Sequence, residues 1–308
     1  MALARSGVAV MQKLAMLLPL MSAVLMSSPV RAESLKGIDG QTVAVAVPKR
    51  VVAVNSALVE ILFALGKGDT VVGTDVAGTY PPALEKIAKV GHPYHPSVEG
   101  IISLTPDVVV ASEENMPSAT AEQLRGAKLP VLVLENSSKD GVEGLKRRIS
   151  LLARLYQIPE VGQRMIQDID TRLGALQKKI AAVKTKPRIL FLYAHGPGEA
   201  FVYGRDTGVH VLIELAGGQN AADFTTGTKV LTAEGMVQAS PDAIILLHRG
   251  LKAVGGPEGV LKMPGVALTP AGQQRKIFAV DDTIRWVGPR FPQFADTLFN
   301  DLHATPRP

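Results

Sequence analysis

Few side chains in this sequence have the types and spacing that chemistry requires, and a pair of histidines is the first of them. His92 and His95 lie three positions apart with Tyr94 between them, in the stretch Gly-His-Pro-Tyr-His-Pro. Imidazole nitrogens bind metals at such spacings, but two histidines on a proline-containing loop are a weak metal signal. The alternatives are the rim of a cleft or a plain surface loop, with Tyr94 able to stack on a neighbouring group.

The chain contains little that points to catalysis. It has no cysteine, which excludes thiolate metal sites, cysteine nucleophiles, disulfides and a lipid-modified N-terminal cysteine. The motifs G-x-S-x-G, H-E-x-x-H and G-x-x-x-x-G-K-[ST] do not occur in it. The acidic pairs at 113–114 and 281–282 have no partnering base beside them. We therefore predict that the protein is not an enzyme, with a secreted hydrolase as a remote alternative.

Two matched glutamates belong to an internal echo. Residues 98–112 read VEGIISLTPDVVVAS, and residues 233–247 read AEGMVQASPDAIILL, at a constant offset of 135 positions. Both copies contain Glu-Gly, a short apolar helical turn, Pro-Asp and an aliphatic run, and they align Glu99 with Glu234. A fixed offset reports architecture directly. Two copies are too few for a solenoid and predict two similar lobes.

The elements around the echo alternate strand and helix in the same order twice, which predicts a mainly parallel sheet in each lobe. We predict an α/β fold of two similar doubly wound lobes joined by a long rigid helix, with a ligand cleft between the lobes. A loose alternation over 41–47 predicts a first edge strand, and 294–302 a closing helix. The predicted segments are a signal peptide (1–32), an N-terminal lobe (48–140), linking helices (141–186) and a C-terminal lobe (187–308).

The first 32 residues have the features of a secretory signal. Arg5 and Lys13 form a basic start, residues 14–26 are apolar, and Val30-Arg31-Ala32 ends in a small residue suited to cleavage. The apolar run is short for a membrane span of about 20 residues, and a retained anchor is the alternative. We predict a soluble, exported protein cleaved near Ala32. Loss of this segment lowers the formal net charge from +5 to +2, and no basic stripe favours nucleic-acid binding.

Over nearly all of the mature region the chain resembles periplasmic substrate-binding proteins of ABC importers, in the group that takes haem, cobalamin and ferric siderophores. The matches are most specific to the haem binders. They are T-Y-P at 79–81, E-G-I-I-S-L-x-P-D at 99–107, G-R-D-T at 204–207, L-A-G-G-Q-N at 215–220, E-G-M-V-x-x-x-P-D at 234–242 and G-P-R at 288–290.

The resemblance implies haem as the transported ligand, with the tyrosine of T-Y-P, here Tyr80, as the axial ligand of its iron. It also implies a cation from the opposite lobe beside the phenolate. We expect Lys229, in the predicted loop 227–229, to be this cation. The rival cations are Arg205, Arg249 and Arg285, and His195 and Tyr94 are further candidates for supporting the ligand.

The same resemblance gives the echoed glutamates a role, because in this family one glutamate on each lobe pairs with arginines of the permease dimer. We expect Glu99 and Glu234 to dock a monomeric, periplasmic protein onto an inner-membrane ABC permease. Simple helix-start carboxylates are the alternative for each glutamate taken singly. A ferric siderophore or cobalamin binder of the same class is the main competing function.

Overall fold

Two β-sheets, one in each half of the chain, organise the computed structural model, which describes residues 33–194, 196 and 200–303. The N-terminal half contains β1 (Glu33–Lys36), β2 (Thr42–Val45), β3 (Val51–Val54), α1 (Ser56–Ala64), β4 (Val71–Thr74), β5 (Ala88–Lys89), β6 (Gly91–His92), β7 (His95–Pro96), α2 (Val98–Ser103), β8 (Val108–Ser112), α3 (Ser118–Gly126) and β9 (Val131–Leu134). Its main sheet has the order β5-β4-β3-β8-β9, and every pairing in it is parallel.

Two helices, α4 (Gly141–Leu155) and α5 (Pro159–Ala181), lead from this half to the next. The 23 residues of α5 correspond to a length of about 35 Å. The C-terminal half contains β10 (Arg188–Tyr193), β11 (Phe201–Tyr203), α6 (Gly208–Leu215), β12 (Gln219–Asn220), β13 (Thr228–Val230), α7 (Ala233–Ala239), β14 (Ala243–Leu247), α8 (His248–Ala253), α9 (Gly256–Leu261), α10 (Pro270–Gln273), β15 (Ile277–Val280) and α11 (Phe291–His303). None of the helices in the described residues could span a bilayer.

The predicted two-lobed α/β fold is confirmed, with differences at the edges. In the second sheet, β10, β14 and β15 are parallel, whereas β11 and β13 pair antiparallel along the other side of β10. The edge strand predicted at 41–47 is β2, which pairs with β1 in a separate two-stranded sheet. The closing helix begins at Phe291, three residues before the predicted start. The predicted signal segment lies outside the described residues, and the domain boundaries stay a proposal.

The two echoed segments have the same local structure because the same residue types cap their helices. The Ser97 hydroxyl accepts a hydrogen bond from the Gly100 N–H at 3.0 Å, and the Thr232 hydroxyl accepts one from the Gly235 N–H at 3.0 Å. Serine and threonine at this position satisfy backbone donors that the first turn leaves free. The α2 and α7 helices therefore begin at matched positions.

An aspartate then anchors each echo to the start of the neighbouring parallel strand, which is β3 in one lobe and β10 in the other. Asp107 Oδ2 accepts hydrogen bonds from the backbone N–H groups of Lys49 at 2.7 Å and Arg50 at 2.9 Å. Asp242 Oδ2 accepts one from the Arg188 N–H at 2.8 Å. The Pro-Asp pair in each copy thus ends a helix and fixes the register of the next parallel strand.

The inner faces of both sheets share one hydrophobic core with α1, α4, α5, α6 and α11. Alternate strand residues point the other way, into a separate cluster for each lobe. Both faces of each sheet are therefore buried, as doubly wound folds require. Because the central core is continuous from one lobe to the other, the lobes are joined by packing as well as by chain connections.

Candidate functional site

The carboxyl ends of the parallel strands bring side chains of both lobes together. In α/β folds this edge of the sheet is where ligands bind. The N-terminal lobe contributes the loop after β4, which carries Tyr80, and the segment after β8, which carries Glu114. The C-terminal lobe contributes Tyr193 at the end of β10 and residues 281–290 after β15. The contacts among these segments define the candidate site.

Tyr80 stands in a loop whose first residue is a buried carboxylate. Directly after β4, the Asp75 side chain accepts hydrogen bonds from the backbone N–H groups of Asn55 at 2.9 Å and Ala77 at 2.8 Å. Burial raises the pKa of Asp75, and these hydrogen bonds oppose the rise. Tyr80 itself is 41% exposed. The loop therefore presents the phenol ring instead of packing it into a core.

The guanidinium of Arg290 lies on the Tyr80 ring. Its central carbon is 3.6 Å from the ring centroid, which is a cation–π contact. The same group donates to the two carboxylate oxygens of Glu60 at 2.9 and 3.0 Å, to Asp281 at 3.1 Å and to Thr283 at 2.8 Å. Glu60 lies on α1 of the N-terminal lobe and is 5% exposed. Arg290 therefore connects the two lobes while it contacts Tyr80.

Electrostatics keep this arginine charged and in place. Burial raises the pKa of Glu60, and the hydrogen bonds and charge of Arg290 oppose the rise. Burial also acts to raise the pKa of Asp281, but hydrogen bonds from Thr283 and the charge of Arg290 outweigh it, so the net shift is downward. A bidentate pair of this kind holds a guanidinium in one orientation. The positive charge beside Tyr80 is thus preorganised.

Three of the four cations that we predicted for this role do not stack on Tyr80 as Arg290 does. Lys229 belongs to β13 and not to a loop, because Thr228–Val230 pairs with β11, and its Nζ is 6.0 Å from the centroid of the Phe224 ring. Arg205 is exposed, and so is Arg249 on α8. Among the described residues, none of these three side chains forms a hydrogen bond or a cation–π contact with Tyr80.

Glu60 and Arg290 are among the site residues that the sequence analysis did not assign. Arg290 entered it only as the last residue of the G-P-R motif. Glu60 is the one acid in the apolar helix segment LVEILFALG. That single charge was a usable signal, because a carboxylate in a buried helix needs a cationic partner. The sequence gives no indication of which cation supplies it.

Arg285, the fourth predicted cation, lies among aromatic rings. Its guanidinium carbon is 4.4 Å from the Trp286 ring centroid and 5.4 Å from that of Tyr193, and its Nη1 is 3.5 Å from the Tyr193 hydroxyl oxygen. Burial raises the pKa of Tyr203, and the charge of Arg285 opposes the rise. Burial likewise raises the pKa of Tyr94, again opposed by Arg285. Since Tyr94 belongs to the facing lobe, Arg285 lies where the lobes meet.

The histidine pair forms a small hairpin with Tyr94 at its turn. The ring centroids of His92 and His95 are 6.0 Å apart, and those of His92 and Tyr94 are 5.6 Å apart. Within the described ranges, no three or more His, Cys, Asp or Glu side chains lie close enough together to hold a metal ion. His195, the remaining candidate, lies outside the described residues, and its role stays a prediction.

The echoed glutamates are exposed on the outer helices. Glu99 and Glu234 occupy the first turns of α2 and α7, and within the described chain neither carboxylate forms an ion pair. One turn later, Ile102 and Val237 are also exposed, at matched positions. Each lobe therefore presents an acidic group beside an apolar side chain in the same local setting.

The comparisons with known proteins agree with this architecture. The family model described as Periplasmic binding protein matches residues 51–283. The periplasmic heme-binding protein RhuT from Roseiflexus sp. RS-1 is 36% identical with a TM-score of 0.78, covering 83% of this chain and 98% of that one. The uncharacterized ABC transporter substrate-binding lipoprotein YvrC of Bacillus subtilis is 28% identical, over 83% of this chain and 80% of its own. The vitamin B12-binding protein of Pectobacterium atrosepticum is 27% identical, over 69% of this chain and 76% of its own.

These relatives are substrate-binding transport proteins and not enzymes. Such proteins are exported, take a small-molecule ligand and work with a permease in a membrane. Because the family model covers well over half of the sequence, this chain belongs to the Periplasmic binding protein family.

Proposed function

We propose that this protein binds haem in the cleft between its lobes and delivers it to an ABC permease of the inner membrane. Tyr80 is the axial ligand of the iron, and haem is the cargo rather than a resident cofactor. The observation that carries the proposal is the position of Tyr80, a 41% exposed phenol with the Arg290 guanidinium stacked on its ring.

The chemistry of this pair suits ferric iron. Ferric iron is a hard cation and a phenolate oxygen is a hard anionic donor, and tyrosinate ligation of haem iron occurs in catalase. A guanidinium beside an iron-bound phenolate interacts favourably with the negative charge of the phenolate. Glu60 and Asp281 hold Arg290 by ion pairs of 2.9 and 3.1 Å. We therefore assign the cationic partner of Tyr80 to Arg290 and not to Lys229.

The cleft is also suited to a planar aromatic ligand. Four of the five tyrosines of the chain take part in the contacts described above: Tyr80, Tyr94, Tyr193 and Tyr203. Aromatic side chains supply large, rigid contact surfaces for a porphyrin plane. The greater identity to a heme-binding structure, 36%, than to a vitamin B12-binding protein, 27%, supports haem. Cobalamin is the second candidate because of that latter relative, and a ferric siderophore is the third.

The delivery step assigns the matched outer helices to the permease. Glu99 and Glu234 pair with basic residues of the two permease subunits, while Ile102 and Val237 pack beside them. One equivalent group on each lobe fits a partner with approximate two-fold symmetry. Such charge pairs set register and encounter rate more than affinity. In this proposal the protein is a periplasmic monomer, exported by its N-terminal segment and cleaved near Ala32.

A ligand titration tests the proposal. Purified mature protein is titrated with hemin and, separately, with cyanocobalamin, and binding is followed by absorbance and by tryptophan fluorescence. We expect near one-to-one binding of hemin with a ferric, tyrosinate-type spectrum, and much weaker binding of cyanocobalamin. Tight binding of cyanocobalamin together with no saturable binding of hemin would replace haem by the second candidate.

A further inference from the structure

Two arginines in the segment 281–290 have opposite electrostatic surroundings. Arg290 forms ion pairs with both Glu60 and Asp281. Arg285, five positions earlier, has no carboxylate within ion-pair distance among the described residues. Carboxylates therefore neutralise the charge of Arg290, whereas within residues 33–194, 196 and 200–303 no carboxylate forms an ion pair with Arg285.

Aromatic rings hold Arg285 in place. Its guanidinium stacks near Trp286 and Tyr193 at 4.4 and 5.4 Å from the ring centroids. Its buried Nε has no hydrogen-bond partner in the described part of the chain. The guanidinium hydrogen-bonds to the Tyr203 side chain, and its Nη1 lies 3.5 Å from the Tyr193 hydroxyl oxygen. A guanidinium carries five N–H donors in a planar fork. The two tyrosines therefore use only part of the donor capacity of Arg285, and no described carboxylate pairs with its charge.

We propose that Arg285 binds a carboxylate of the ligand at the rim of the cleft. The inference rests on the proposed function, since in haem this group is a propionate. A carboxylate accepts two parallel N–H bonds from a guanidinium, and such charge-assisted pairs are among the strong hydrogen bonds of proteins. Arg290 cannot take this role, because its Nε and Nη2 already donate hydrogen bonds to the two carboxylate oxygens of Glu60.

This assignment divides recognition between two chemical features of the ligand. Tyr80 binds the iron, and Arg285 binds a carboxylate at the edge of the macrocycle. Haem carries two propionates, whereas the rim of a corrin carries amides. An ionised acceptor gains more from an unpaired guanidinium than a neutral amide does. Arg285 therefore selects porphyrin acids over corrinoids of similar size.

A pair of ligands that differ only at the propionates tests the inference. Hemin and hemin dimethyl ester both supply ferric iron and the same ring, but the ester has no carboxylate. Dissociation constants for both are measured with wild-type protein, Arg285→Gln and Arg172→Gln. Arg172 is exposed on α5 and pairs with Asp168, so its replacement controls for the loss of one positive charge.

We expect Arg285→Gln to weaken the binding of hemin by about tenfold or more and the binding of the ester by less than about threefold. The spectrum of iron ligated by Tyr80 should persist with both ligands. Arg172→Gln should change neither constant. Equal weakening of hemin and ester by Arg285→Gln, or equal wild-type affinities for the two, overturns the carboxylate site while the haem function stands. Failure of the wild type to bind hemin overturns both. Arg285→Lys keeps the charge without the fork, and we expect it to restore part of the hemin affinity.

Discussion

The two lobes agree at their outer helices and differ at the strand ends that face the cleft. On the outside, Glu99 matches Glu234 and exposed Ile102 matches exposed Val237. Their helices begin with equivalent caps and end before equivalent Pro-Asp pairs. A surface that is repeated to this extent suits a partner that itself has two equivalent halves.

On the inside, the same alignment gives unlike residues. When β8 is aligned with β14, at an offset of 135 positions, Glu114 corresponds to Arg249. When β3 is aligned with β10, at an offset of 138 positions, Asn55 corresponds to Tyr193. Glu114 is largely buried and accepts hydrogen bonds from Ser137, whereas Arg249 is exposed. A cleft that holds one unsymmetrical ligand has no reason to keep the repeat. The duplication is thus retained at the outer helices α2 and α7 and lost at the strand ends that face the cleft.

The largest effect on stability should come from breaking the contact that joins the two inner faces. Arg290→Gln leaves the buried Glu60 carboxylate without its cation, which we expect to cost about 3–5 kcal/mol in the free energy of unfolding. The double variant Glu60→Gln/Arg290→Gln should recover much of that loss, because no uncompensated charge remains. Urea denaturation measures both. If single and double variants are equally unstable, the pair does not act as described.

The matched aspartates sharpen the comparison within the repeat. Asp107 accepts two backbone hydrogen bonds and Asp242 accepts one, and each bond to a charged group contributes about 1.5–3 kcal/mol. We therefore expect Asp107→Ala to destabilise the protein more than Asp242→Ala in the same urea assay. Equal losses would mean that the two echoes are anchored alike in spite of the different bond counts.

The proposed docking surface consists of Glu99 and Glu234 with the apolar side chains beside them. We expect permease activity to depend on both glutamates together. We expect Glu99→Gln/Glu234→Gln to lower haem-dependent ATPase activity of the reconstituted permease on the order of tenfold, with each single variant intermediate. Haem affinity should not change. Glu160→Gln removes another exposed carboxylate from a helix start and should leave the activity as it was. A full loss from one single variant would contradict the two-fold arrangement.

The smallest effect concerns the buried carboxylate of the inner face and depends on pH. Burial raises the pKa of Glu114 above its ordinary value of 4.5. The stability that protonation of Glu114 contributes is therefore present below pH 4.5 and lost as the pH rises through the raised pKa. Glu114→Gln should be more stable than wild type by up to about 1 kcal/mol at pH 8, with no difference near pH 4. A gain that is independent of pH would exclude this cause.

Most of the fold could be predicted because its signals are local. The Pro-Asp pair, the cap residues Ser97 and Thr232 and the apolar runs lie within a few positions of the structure that they determine. The contact between Glu60 and Arg290 joins residues 230 positions apart, and no periodicity encodes which loop meets which helix. Lys229 was wrongly placed in a loop because its short edge strand forms only by pairing with β11. The scaffold could therefore be predicted from the sequence, whereas the contacts of the site became evident only in the structure.

Ligation of haem iron by Tyr80 is the central claim, and one spectroscopic comparison tests it most directly. Hemin complexes of wild type, Tyr80→Phe and Tyr156→Phe are compared by absorbance and resonance Raman spectroscopy. Tyr156 bonds to the Thr70 hydroxyl and controls for the loss of a tyrosine outside the cleft. We predict iron–phenolate modes in the wild type and in Tyr156→Phe, and their loss together with most of the affinity in Tyr80→Phe. An unchanged spectrum and affinity in Tyr80→Phe would contradict the account.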